Sequence, residues 1–167
     1  MSVLRRTGGV AVIAVTAAAV GLAALLLFGR ALGLSAYVVM SGSMEPTLPV
    51  GSLIFVAPEP SAEIRPGDVV TFTLADHVVT HRVVEVRAGN GGPLLVTKGD
   101  ANLDPDTQPV QLGRTVGTPR LLLPGLGFAV VYVESYWRIV ALITLCWLAL
   151  AEAARHARVR PLRGSPA

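Results

Sequence analysis

The chain has 167 residues, of which 52% are hydrophobic and 15% charged, with a formal net charge of +3 and one cysteine. That length holds one ordinary domain and not two, the apolar excess departs from soluble averages, and a lone cysteine, Cys146, excludes an intramolecular disulfide. The basic surplus lies at the ends: Arg5 and Arg6 come first, Arg155, Arg158, Arg160 and Arg163 come last, and the stretch from Ser35 to Glu134 has ten acidic residues against six basic ones, so nucleic acid is not the expected partner.

Val10–Phe28 is the first element. It carries no charge over 19 residues and as a helix is about 28 Å long, close to the hydrocarbon thickness of a bilayer. A basic start and an alanine-rich run also suit a cleavable signal sequence, with small residues near Gly33 and Ser35. The run exceeds the usual apolar core of such a sequence, and a retained anchor is expected. Near the other end, Ile139–Ala151 is uncharged for only 13 residues. The helix lengthens to Trp137–Ala154 if Arg138 and Glu152 reach the interfaces, and Tyr132, Tyr136 and Trp137 supply an interfacial aromatic cluster. Arginines outside both runs put both ends on the cytoplasmic side. The expected organisation is a cytoplasmic N-terminus and first span over 1–34, an extracytoplasmic domain over 35–135, a second span over 136–154, and a basic cytoplasmic tail over 155–167.

Between the spans, Tyr37–Met40 is a short extended run. Ser52–Val56 reads as a strand, interrupted by Pro58 and Pro60. The Pro66-Gly67-Asp68 turn feeds a strand at Val69–Leu74, and His77–Arg87 is another strand rich in β-branched residues. Residues 88–92 form a hairpin turn with a return strand at Leu94–Thr97. Residues 99–109 read as loop, Val110–Gly117 as a last strand, and the apolar stretch 121–130, broken at Pro124-Gly125, as a membrane-facing loop or strand. Without a helical period between 35 and 120, the fold class is mostly β: antiparallel and partly closed.

Three segments carry chemistry. In Ser41-Gly42-Ser43-Met44-Glu45-Pro46-Thr47, a glycine between two serines permits close backbone approach, and a serine on such a loop can act as a nucleophile beside amides that bind an oxyanion. His81 shares a strand face with Val79 and Val83, toward the interior, where a neutral imidazole serves as a core residue or as a general base. His77 lies about 13 Å along the same strand, too far to share a metal ion with it. In Lys98-Gly99-Asp100-Ala101-Asn102-Leu103-Asp104-Pro105-Asp106, a carboxylate can orient His81 or brace a turn, and the ligand pattern of a calcium loop is absent.

Ser41-Gly42-Ser43-Met44-Glu45-Pro46-Thr47, then His81-Arg82-Val83, then Lys98-Gly99-Asp100 with Asp106 six residues on, resemble in order and spacing the type I signal peptidases. The likeness is to the endoplasmic-reticulum and archaeal branch, which includes the SipW-like enzymes, and covers residues from about 36 to 120. It implies a signal-peptidase-like β domain between two transmembrane helices. It also implies Ser43 as nucleophile, His81 as general base where the common bacterial branch has lysine, and Asp106 as the third catalytic residue. Ser41 falls on the residue that helps form the oxyanion hole, and Asp100 on a supporting aspartate. Lys98, the chain's one lysine, belongs to the histidine branch's Lys-Gly-Asp element, not to a Ser-Lys dyad. No cofactor and no metal are expected. The implied partners are signal-peptide-bearing preproteins cut after small residues, the lipid bilayer, and a secretion translocon or accessory subunits. The implied location is the plasma membrane, multi-pass, or the reticulum membrane in a eukaryote. The competing readings are a self-cleaving repressor-type Ser-Lys protease and a non-enzymatic membrane-anchored β domain that scaffolds envelope proteins.

Overall fold

A computed structural model describes residues 2–74, 76–111, 113 and 115–159. The tail residues 160–167, with Arg160 and Arg163, lie outside the described residues. Helix α1 (Ser2–Ala31) is followed by strands β1 (Ser35–Val38), β2 (Leu53–Pro60), β3 (Val69–Leu74), β4 (His77–Gly89), β5 (Gly92–Lys98), β6 (Val110–Gln111) and β7 (Thr115–Leu123), then by helix α2 (Leu126–Val159). Short 3₁₀ turns occupy Gly42–Met44 and Ser61–Glu63.

Among the described residues the strands form one sheet in the order β1-β2-β7-β3-β4-β5-β6, and its strand pairs are antiparallel. The two edge strands contribute Tyr37 and Val110 to one cavity of about 430 Å³, so the sheet curls toward closure, as its short hairpins predict. Two apolar clusters fill it. One holds Val70, Phe72, Val83, Leu95, Val110 and Val116 with Ile64; the other holds Met44, Leu48, Ile54 and Val56.

Several element boundaries differ from the sequence reading. Strand β2 runs through Pro58 and Pro60. Its partner β1 ends opposite Val56, while β7 pairs with it as far as Pro60. Beyond Val56 one side of β2 is an edge, where a missing N–H costs no ladder bond. The expected last strand is two strands, β6 and β7, and β7 extends to Leu123. Pro119 sits in its middle at a register shift opposite Phe55/Val56, where the ladder is already broken and proline is tolerated. The stretch 121–130 is therefore the end of β7, the Pro124-Gly125 turn and the start of α2. Gly125 has φ +74, which lets the chain turn directly into the helix.

Among the described residues two compact units are distinguished: Ala19–Val131, which contains the sheet, and a unit that gathers 2–18 with 132–159. Among the described residues one helical segment, Ile13–Ala31, is long and apolar enough to cross a membrane, with mean hydropathy 2.0 and only 11% of the segment buried by protein. The second span expected over 136–154 is not met by a single straight helix among the described residues. Helix α2 qualifies only if Leu126–Ile139 and Ala141–Ala153, bent by 52°, count together. The physical reason is charge: Glu134, Arg138 and Glu152 interrupt the apolar run, and charges are costly at bilayer depth. Within α2, Tyr132 and Tyr136 stack at 4.7 Å and the Arg138 guanidinium lies 5.6 Å from the Trp137 ring centre.

The crowding at Gly117 is testable. A β-carbon there would lie 2.5 Å from Val56 Cγ1 and 2.9 Å from the Thr71 carbonyl, because β7 threads between β2 and β3. Gly117→Val is expected to lower stability by about 1–3 kcal/mol through overpacking, read by denaturant unfolding in detergent. A change below about 0.5 kcal/mol, the ordinary surface value, contradicts the packing described.

Candidate active site

The Ser43 loop is fixed from both sides. Before it, the Val39 N–H donates to the Ser52 carbonyl at 2.9 Å and the Gly51 N–H to the Val39 carbonyl at 2.8 Å, extending the β1–β2 register. After it, Met44 is 2% exposed and packs with Leu48, Ile54 and Val56. The 3₁₀ turn Gly42–Met44 lies between these two anchors, which hold the Ser43 backbone in place.

His81 lies on β4, opposite Val70 on β3, and its side chain is 13% exposed. Its Nε2 is 3.3 Å from Ser43 Oγ and its Nδ1 is 2.6 Å from Asp106 Oδ2. The same Asp106 oxygen accepts the Thr97 hydroxyl at 2.6 Å. An ionised carboxylate only accepts, so an imidazole bonded to it donates from Nδ1, and in its neutral form turns the Nε2 lone pair to the serine hydroxyl. Asp106 is brought to this position by its own N–H, which donates to the Thr97 carbonyl at 2.8 Å and folds the loop back beside β5. The geometry brings Ser43, His81 and Asp106 together in one line. Ser41 Oγ stands 3.4 Å from Ser43 Oγ.

Asp100 braces the loops through side chains distant in the chain, while the Asn102 N–H donates to the Gly99 carbonyl at 3.0 Å. The Asp100 carboxylate receives a forked pair from Arg82, Nε to Oδ1 at 2.8 Å and an NH2 nitrogen to Oδ2 at 2.7 Å, and the Thr47 hydroxyl at 2.5 Å. Arg82 also donates to the Gly67 carbonyl at 2.8 Å. These bonds join three segments: Thr47 follows the serine loop, Arg82 adjoins His81, and Asp100 begins the loop that ends at Asp106. Lys98 Nζ donates to the Leu103 carbonyl at 3.2 Å, and Asp104 is exposed.

Thr97, Thr47 and Arg82 were not singled out as site residues by sequence. For Thr97 a signal existed. Val83 lies opposite Thr97, and Val83 shares its strand face with His81, so pairing parity alone puts Thr97 on the face of the imidazole. Thr97 is 0% exposed, and a buried hydroxyl requires a partner.

The serines open onto a groove of about 420 Å³ whose walls include Tyr37 and Val38 from β1, Val39 and Met40 just after it, and Val78–His81 from β4. Both walls are strand edges. Strand β1 ends the sheet, and β5 meets β4 only from Arg82 onward.

The profile of the Peptidase S24-like family matches residues 19–109, which span α1's C-terminal half, the serine loop, His81 and Asp106. The chain belongs to this family. Signal peptidase I W of Bacillus subtilis (strain 168) is 45% identical over 74 residues, 43% of this chain and 39% of that protein. The human signal peptidase complex catalytic subunit SEC11C is 33% identical over 109 residues, 59% of this chain and 57% of that protein. The signal peptidase complex catalytic subunit sec11 of Pyrenophora teres f. teres (strain 0-1) is 32% identical over 110 residues, 59% and 63% of the two. The chain thus spans about two-fifths to three-fifths of these relatives. The family resemblance read from the three sequence blocks agrees with these matches.

The Asp100 clamp has a pH signature. The Arg82 hydrogen bonds, assisted by Thr47 and the Arg82 charge, hold the Asp100 carboxyl below its ordinary value against the opposing effect of burial, and Asp100 in turn raises the Arg82 guanidinium. A carboxyl depressed in the folded state stabilises the fold above its unfolded value, about 3.9, and that stabilisation is lost as pH falls through the folded value. Melting temperature is therefore expected to drop as pH falls below about 4, and Asp100→Asn to lack that part of the drop while melting lower at neutral pH. Identical slopes for the two proteins in differential scanning calorimetry would remove Asp100 from this role.

Proposed function

We propose that the chain is a membrane-bound serine endopeptidase that removes signal peptides from exported preproteins. The observation that carries this is the line Ser43 Oγ–His81 Nε2–Nδ1–Asp106 Oδ2, with separations of 3.3 and 2.6 Å. Family membership and the names of the relatives support it. His81 takes the Ser43 proton as Oγ attacks the scissile carbonyl, and Asp106 holds the imidazole in the required tautomer and stabilises its charged form. Ser41 Oγ and the Ser43 N–H, at the start of a turn with no preceding turn to bond, receive the oxyanion. His81 then gives the proton to the leaving amine, and water, activated the same way, releases the acyl group from Ser43. Asp100 fixes the loops without touching the reacting atoms.

The substrate enters as an extended segment. The unpaired edges of β1 and β4 offer main-chain partners to a strand laid between them, and the groove's shallow apolar walls accept small side chains before the cut. Helix α1 anchors the enzyme, and α2 crosses the bilayer as a bent second span. Both ends are cytoplasmic, and residues 35–135 face outward from a prokaryotic plasma membrane, or into the lumen of a reticulum membrane. The proposed partners are preproteins, the bilayer, and accessory subunits or a translocon.

In detergent-purified protein with a precursor peptide, Ser43→Ala and His81→Ala should lower kcat by about four orders of magnitude or more. Asp106→Asn should lower it by about three to four orders with an unchanged melting temperature. Lys98→Ala and Asp104→Asn should keep most activity. Wild-type turnover in Ser43→Ala sinks the mechanism, and mass spectrometry that finds cuts without small residues at the first and third positions before the bond sinks the substrate assignment. Topology has its own test: with tags at both termini, external protease should degrade 35–135 in spheroplasts and spare both tags. A digested C-terminal tag means that α2 does not cross.

A further inference from the structure

We propose that a second groove, of about 590 Å³, binds the first residues on the leaving side of the cut and selects apolar over acidic side chains there. The inference rests on the peptidase reading above. This groove has an apolar wall of Phe72, Leu74, Val79 and Leu103, and its rim carries Asn102 and Asp104. It shares Val79, His81 and Asn102 with the serine groove, but neither serine lines it. That division matches the chemistry. The acyl half of the substrate becomes bonded to Ser43 Oγ and stays with the serines. The amine half must present its nitrogen to His81 Nε2, because that atom returns the proton as the C–N bond breaks. A chain leaving His81 on the side away from the serines enters the second groove.

The lining sets the selectivity. Leu103 is 92% exposed and Leu74 47% exposed, large apolar surface set beside a reacting centre with no protein covering it among the described residues. The two carboxylates of the groove differ in their freedom. Asp106 is occupied by His81 and Thr97, whereas Asp104 is exposed at the rim and repels an acidic guest. An apolar first residue covers Leu103, and an acidic one meets Asp104.

The test uses peptides with the same acyl side and either Leu or Asp immediately after the cut, with kcat/KM measured for the full-length enzyme in detergent. The wild type should favour Leu. Leu103→Ser should reduce kcat/KM for the Leu peptide about fivefold, less than an enclosed apolar pocket gives. Asp104→Asn should raise kcat/KM for the Asp peptide about threefold, as expected for an exposed charge pair. The ratio between Ala and Val before the cut serves as the internal reference and should stay constant in both variants. Cleavage that needs Ser43 but shows unchanged Leu/Asp ratios in both variants overturns this inference and leaves the peptidase reading intact. Cleavage that persists in Ser43→Ala overturns the reading itself.

Discussion

One hydrogen bond organises the site: the Ala101 N–H donates to the Ser43 carbonyl at 2.8 Å. It joins the loop after β5 to the serine turn, and it is possible because residue 99 is glycine. A β-carbon there would lie 2.6 Å from the Ser43 carbonyl oxygen, closer than real contacts allow. The glycine of Lys98-Gly99-Asp100 is therefore a spacing residue, required by approach and not by backbone angle. With that contact made, the rest of the loop has fixed ends. It leaves β5 after Lys98 and returns at Asp106, whose N–H reaches the Thr97 carbonyl.

Two aspartates six residues apart thus do different work because of what surrounds each carboxylate. Both Asp100 oxygens are taken, by the Arg82 fork and Thr47. Forked guanidinium pairs are among the stronger hydrogen bonds, and this carboxylate stays ionised without facing the imidazole. Among the described residues Asp106 has no guanidinium partner. One of its oxygens takes a hydroxyl and an imidazole N–H together, an arrangement that holds the ring in place. The clamp is local and partly exposed, since the Arg82 side chain is 34% accessible. Its contribution to stability is modest beside that of the apolar clusters, and it acts chiefly by fixing position.

Much of this was legible in the sequence, and the exceptions share a cause. The strands at Val69–Leu74 and His77–Arg87 and the inward parity of His81 follow from alternation alone. The loop character of 99–109 follows from its Asp, Asn and Pro content. The three chemical blocks were recognisable because their spacing along the chain is set by the loops that bring them together. What sequence did not reveal depends on neighbours distant in the chain. Pro58 and Pro60 continue β2 because β1 is too short to reach them. Pro119 is tolerated because the ladder shifts beside it. The partners of Asp100 lie 18 and 53 residues away, beyond any local rule for an aspartate after glycine. The second helix was placed by its charge-free core and so began late: its first turns, from Leu126, are set by the turn at Gly125 and carry Glu134 and Arg138, which a hydropathy reading treats as a boundary.

The bare edges of β1 and β4 impose a condition on time as well as shape. An unfilled place in a sheet is an aggregation hazard that proteins usually cover. Here it is left open beside Ser43, and only backbone with unspent hydrogen bonds can pair with it. A helix has used its amides internally, and a finished hairpin has used them on its partner. Under the proposed function the groove would compete with the folding of its own guest: a segment still extended on arrival would be read, while the same segment a moment later, folded or paired elsewhere, would be invisible to it. Selection in such a site is decided as much by how long a chain stays unfolded as by which residues it carries.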